Sequence, residues 1–187
     1  MKAVRTSMKG AVTAIGLWLM VAMPAWAVPT FSLTASQTGD VLEVDVWSTA
    51  LADLYAWQFS LNFDPAVLQA TSVSEGPLLA TGGATFFDPG TTDKVGGLLS
   101  FVFDTLLGPG SGVTGDGVLA VILFDVQQSH VFATLSFSDV LALDSGLNEL
   151  PVQAQGLRTE LPEPGMLALL GIGLVALTLG VRRQRRT

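Results

Sequence analysis

"YAWQFSLNFDP", residues 55–65, decides how the rest of the chain is read. Its large apolar side chains fall on every second residue, Tyr55, Trp57, Phe59, Leu61 and Phe63, with Ala56, Gln58, Ser60 and Asn62 between them. Successive side chains of a strand point to opposite faces, so this stretch predicts a strand with one buried face. It stops where it must. Pro65 fixes φ and offers no N–H to a ladder. Asp64, just before it, is suited to accept from backbone N–H groups beyond the corner, so it reads as a structural cap rather than a catalytic acid.

The same period extends on both sides. In "VLEVDVW" (41–47), Leu42, Val44 and Val46 face inward and Glu43 and Asp45 outward, which leaves Trp47 outward. "GLLSFVF" (97–103), "GVLAVILFDV" (117–126) and "ATLSFSDVLAL" (133–143) are further strands. The second is apolar on both faces, which predicts a central strand covered on both sides or one face in an interface. Turn signals separate these runs: "SQTGD", "TGG", "DPGTTDK", "GPGSGVTGDG" and "DSGLN". "GPGSGVTGDG" (108–117) predicts a long hairpin loop. Apart from the C-terminal tail, no sustained helical period is present. The fold class that follows is all-β, an antiparallel sandwich with jelly-roll connections.

Both ends read differently. Lys2, Arg5 and Lys9 precede an apolar run from Ala11 to Met23, then Pro24 and the small-residue site Ala25-Trp26-Ala27. This is the pattern of a signal peptide over residues 1–27, cut by signal peptidase after Ala27. At the other end, Met166–Val181 is uncharged over 16 residues. As a helix it would be about 24 Å long against a bilayer core of about 30 Å, so it predicts a transmembrane helix over 166–181. Arg182, Arg183, Arg185 and Arg186 follow within the basic tail 182–187 and would hold that end in the cytoplasm. Residues 156–165 are expected as a linker with the Pro162-Glu163-Pro164 motif, overlapping "QAQGLRTELPE" (153–163). The domain itself is then 28–155.

Charge and residue types narrow the function. Residues 28–161 hold 15 of the 16 acidic residues and two basic ones, Lys94 and Arg158, a net of −13. Such a surface repels nucleic acid, so no nucleic-acid partner is expected. The chain has no cysteine, hence no thiol nucleophile or thiolate metal site. His130 is the only histidine and sits in a loop context, which excludes a zinc set built on histidines. No G-x-S-x-G, P-loop or H-E-x-x-H is present. No catalytic residue, metal ligand or cofactor is therefore expected. "DPGTTD" (88–93) and "TGDG" offer oxygen ligands without matching an EF-hand, which leaves a loop Ca²⁺ open as an alternative.

Two resemblances add to this. Pro162-Glu163-Pro164, the apolar run and the arginine cluster, in that order, resemble the PEP-CTERM sorting signal of Gram-negative, exopolysaccharide-producing bacteria. The resemblance implies exosortase as a processing enzyme, anchoring in the inner membrane until the helix is removed, and then release or transfer to the cell surface or extracellular matrix. The two prolines suit it physically, since they keep the motif extended. The second covers nearly the whole middle. The corner Phe63-Asp64-Pro65-Ala66-Val67-Leu68, the turn Gly115-Asp116-Gly117-Val118-Leu119 and the closing "ATLSFSDVLALDSGLNELPV" (133–152) resemble a cohesin domain. Cohesins share a jelly-roll sandwich with a group of carbohydrate-binding modules and bind dockerin domains. The chain carries one such module and no dockerin.

The reading is an exported, non-catalytic binding or adhesion module, with carbohydrate or a dockerin-like protein as partner. The candidate binding surface is Trp47 together with Gln58, Ser60 and Asn62, since the resemblance places the outward face of the aromatic strand against dockerin and an exposed tryptophan can stack on a sugar ring. The alternatives are a polysaccharide hydrolase working through paired carboxylates and a purely structural matrix protein.

Overall fold

The computed structural model describes residues 28–161. The signal-peptide site, the sorting motif, the expected membrane helix and the arginine cluster lie outside the described residues. Among those described, no helix is long and apolar enough to cross a membrane.

The organising element is one long strand. β2 runs from Val41 to Asn62, 22 residues, and belongs to both layers of the sandwich. Its first half pairs antiparallel with β1 (Thr30–Thr38) and β7 (Val113–Val126). Its second half pairs with β6 (Leu98–Leu106) and β8 (Phe132–Asp144). The first layer is completed by β3 (Leu68–Glu75) beside β7 and β9 (Gln153–Gln155) parallel to β1. The second is completed by β4 (Thr85–Asp88) and β5 (Thr91–Asp93) beside β6, and β10 (Leu157–Glu160) beside β8. A one-turn helix, α1 (Pro77–Ala80), buries Leu78 and Leu79.

The bend between the two halves of β2 has a local cause. Ala50 and Asp53 adopt left-handed backbone, φ 56° and 60°, where a non-glycine residue is strained. Neighbouring side chains hold them there. Asp116 accepts from the Ala50 N–H at 2.7 Å, and the Asp53 N–H donates to Thr114 Oγ1 at 3.0 Å. The Asp53 carboxylate accepts from the Gly112 N–H and from the Ser145 hydroxyl, both at 2.6 Å, tying β2 to the segment before β7 and to the end of β8.

The core lies between the layers. Leu42, Val44 and Val46 meet Phe124, Ile122 and Ala120 across the β2–β7 ladder, and all six are buried. Trp57, Phe59 and Leu61 line the opposite wall, with Trp57 stacked on Phe59 at 5.5 Å. β7 is internal to its layer, between β2 and β3, but, contrary to the expectation, the described residues do not cover it on both sides. Its outer residues Val121 and Leu123 are half-buried. The corner also forms as read: Asp64 Oδ1 accepts from the Ala66 N–H at 2.9 Å. Gly97 completes it. Its carbonyl accepts from the Phe63 N–H, and at φ 69° a Cβ there would collide with the Phe63 carbonyl oxygen.

Two expectations differ from the structure. The loop over 108–117 is half as long, because Val113, Gly115 and Gly117 pair with Leu54, Leu51 and Ser48. Of the segment expected as linker, Leu157–Glu160 form β10, and β9 lies just ahead of it. Leu161 is buried in the core. The fold therefore continues to the residue before Pro162.

Candidate functional site: the outer face of the second layer

Alternation along β6, β2 and β8 sends one set of side chains into the core and the other to the outside of the second layer. The register places Gln58 between Phe103 and Leu141, and Ala56 between Thr105 and Leu143. These six residues line one shallow depression. Phe86 on β4 extends it, with its ring 5.9 Å from that of Phe103 and 53 % of its surface exposed. Phe101 stands exposed at the β6 bulge, φ 55°. The face is thus apolar at one end. Toward the other end it turns polar, with Asn62 donating to the Ser136 carbonyl and to the Ser138 hydroxyl. On β10 at the far edge, Arg158 lies 4.5 Å over the ring of Phe132. Exposed Phe86 and Phe101 beside half-buried Phe103, Leu141 and Leu143 on a rigid sheet suit a protein contact, where apolar anchors carry most of the binding energy.

The four candidate residues do not form one surface. Gln58 and Asn62 belong to this face. Ser60 does not: it is 1 % exposed. The ladders of β2 with β6 and with β8 both slip around it, between Phe59 and Leu61 and between Gln58 and Ser60, which breaks the alternation. Phe59, Ser60 and Leu61 are consequently all buried, and the Ser60 hydroxyl accepts from the Phe101 N–H at 3.3 Å. Trp47 faces outward as read, 37 % exposed, but on the first layer, between Ser32 on β1 and Val118 on β7. Phe86, Phe103, Leu141 and Leu143 escaped the sequence reading. For Phe103, Leu141 and Leu143 the signal was the presence of apolar residues at both parities of "GLLSFVF" and "DVLAL", the mark of a strand that also carries apolar side chains outside.

Behind the face lies an unusual carboxylate. Asp104 points inward between Trp57 and Phe87, its register partners on β2 and β4, and is completely buried. Neither of its carboxylate oxygens, nor the Trp57 Nε1, has a hydrogen-bond partner among the described residues. Burial, and then the nearby negative Glu75, push Asp104 up to about 7. Glu75 accepts from the Thr85 hydroxyl at 2.7 Å. No group of three or more acidic or histidine side chains able to hold a metal occurs among the described residues. His130 is exposed in its loop, and its N–H donates to the Leu161 carbonyl.

Comparison with known proteins agrees with this geometry. The cohesin domain model matches residues 26–155, and the PEP-CTERM protein-sorting motif model matches residues 160–186. No curated protein matches the chain. Among solved structures, it is similar to a non-cellulosomal cohesin from the hyperthermophilic archaeon Archaeoglobus fulgidus, 17 % identical, covering 71 % of this chain and 89 % of that one with a TM-score of 0.55. It is similar to the third cohesin of scaffoldin ScaC from Acetivibrio cellulolyticus, solved with the ScaB dockerin, 19 % identical over 72 % of this chain and 99 % of that one, TM-score 0.59. A type I cohesin–dockerin complex from Clostridium thermocellum matches at 11 % identity over 70 % of this chain and 91 % of that one, TM-score 0.56. The alternative of a hydrolase with paired carboxylates is overturned by these matches, since cohesins are non-catalytic. The chain belongs to the cohesin family of protein-binding modules and carries a PEP-CTERM sorting motif behind the cohesin domain.

Proposed function

We propose that the chain is an exported binding module that holds another exported protein, dockerin-like in its mode of contact, on the outer face of β10, β8, β2, β6 and β4. The observation that carries this reading is the depression lined by Phe103, Leu141, Leu143 and Gln58, flanked by the exposed Phe86. An apolar patch of this kind on the rigid centre of a sheet is costly to leave in water and stabilising to cover. The sorting motif supports exosortase as the enzyme that processes the tail, with membrane anchoring before processing and the cell surface or matrix as destination.

The test uses residues 28–161, wild type and Phe103→Asp, as baits against surface proteins of the producing cell. The expected result is a protein retained by the wild type and lost with Phe103→Asp, while both baits unfold at the same temperature. Equal retention removes the face from the reading. No retention by either bait favours the purely structural matrix role.

A second reading rests on Trp47. Its exposed ring on the first layer is flanked by Ser32 and, two residues along β2, by Asp45 and Thr49. An indole among hydroxyl and carboxylate groups is suited to a neutral sugar ring, and the net charge of −13 disfavours an acidic one. Retardation of the wild-type domain, but not of Trp47→Ala, in gels containing neutral exopolysaccharide would support carbohydrate binding.

A further inference from the structure

The folded domain leaves no free chain ahead of the sorting motif. Leu161, directly before Pro162, is completely buried. Its N–H donates to the Val131 carbonyl at 3.1 Å and its carbonyl accepts from the His130 N–H at 2.8 Å. The four residues before it are laddered to β8: Leu157 with Leu135, Arg158 with Thr134, Thr159 with Ala133 and Glu160 with Phe132. Arg158 is clamped over Phe132. Gly156 lets the chain enter β10 close against β8, where an added Cβ would lie 2.6 Å from the Leu135 carbonyl oxygen.

A protease takes its substrate as an extended strand, pairing with backbone groups on both sides of the bond it cuts. For a bond at the Leu161–Pro162 junction the residues on its amino side are Leu161, Glu160 and Thr159, and for a bond just beyond Pro164 Leu161 is the fourth residue back. Both backbone groups of Leu161 are already bonded to the His130–Val131 segment, and Thr159 pairs with Ala133 on β8, so that edge of the strand cannot serve a second partner.

We infer that β10 and Leu161 must peel from β8 before the sorting motif can be processed, so that the domain controls its own release from the tail. This rests on the sorting reading above. The covalent step is ordinary hydrolysis: the peptide C–N bond breaks, water supplies the hydroxyl of the domain's new carboxylate, and the amine leaving with the apolar tail takes the proton. An acceptor amine or hydroxyl in place of water gives the transfer version of the same step. Two features make the strap releasable. It is an edge strand of four residues, and short terminal segments open at far lower cost than the whole fold. When opening is fast relative to cutting, the rate of processing follows the population of the detached strand.

The experiment uses the full chain in a cell that carries the processing enzyme, read by intact mass of the recovered protein. Thr134→Cys with Arg158→Cys places one disulfide across β8 and β10 in a chain that has no other cysteine. The expected result is processing about tenfold slower or worse than the parent, restored by a reductant. An insert of about six Gly/Ser residues between Leu161 and Pro162, roughly 20 Å of extended chain, should restore processing with the disulfide intact. Cross-linked and parent chains processed at equal rates overturn the inference, as does an insert that fails to rescue. Should the cross-linked chain not fold, the insert alone decides: it is expected to speed processing of the otherwise unaltered chain several-fold, and an unchanged rate overturns the inference. A parent still ending at Thr187 overturns the sorting reading itself, which is a different result from equal rates in all three chains.

Discussion

Asp104 is the residue whose chemistry most exceeds its structural duty. Its carboxyl is pushed up to about 7 from an ordinary value of 3.8. Between those values the folded chain keeps a proton that the unfolded chain has lost, so this group's contribution to stability falls as pH rises from about 4 to about 7 and is level above that. Asp104→Asn keeps the shape without the charge. It should stabilise the domain by about 1–3 kcal/mol at about pH 8 and leave it nearly unchanged at about pH 3.5, read by thermal unfolding at each pH. Gly97→Ala tests the corner. It forces a Cβ into the Phe63 carbonyl at positive φ and should cost about 2–4 kcal/mol. The sequence made Asp64 and its corner plain, because proline and aspartate act locally. It hid the burial of Ser60, because a bulge is a property of three paired strands. Asp104 had a fainter signal: it occupies the inward parity between Val102 and Leu106, where an unpaired acid has no place in an ordinary core.

Among the elements, β2 carries the fold, and Asp53 holds its bend. The Ser145 hydroxyl, then the Gly112 N–H, hold the Asp53 carboxyl below the usual carboxylate range. A lowered value means stabilisation that is present above the ordinary carboxylate pKa and lost as pH falls below it. Asp53→Ala should therefore lower the unfolding temperature by several degrees near neutrality. The difference from wild type should shrink at about pH 3, measured by circular dichroism melts. The strands with a strict apolar period, β2 and the early part of β8, were legible from period alone, and so was the central position of β7. β9 and β10 were not. "QAQ" is wholly exposed, and a strand that takes its place by parallel pairing with β1 leaves no pattern in its own residues. "LRTEL" did carry one, Leu157, Thr159 and Leu161 on one parity, but five residues between Gly156 and Pro162 read more readily as a spacer. The apolar outer face was obscured by its own composition, since apolar residues outside a sheet look in sequence like residues that serve a core.

For the whole molecule, the extent of the fold matters more than the family match suggests. The cohesin model stops at residue 155, while the core closes at Leu161. A fragment 28–155 would bare the β8 edge and remove Leu157 and Leu161 from the core. It should unfold at least about 5 °C below 28–161 and associate more readily, measurable by scanning calorimetry and light scattering. Charge acts at the same scale. With a net of −13 over residues 28–161, the folded domain repels itself, so raising salt from about 0.02 M to about 0.5 M should raise its unfolding temperature by a few degrees. Finally, the proposed docking face and β10 share a layer. A partner pulled away from a tethered chain would load β8 and β10 in series, through a ladder of four register pairs, and the tension would bypass the first layer and the packed interior. The weakest mechanical joint would then be the same short edge strand, and force on the partner would detach the residues that lead into the sorting motif.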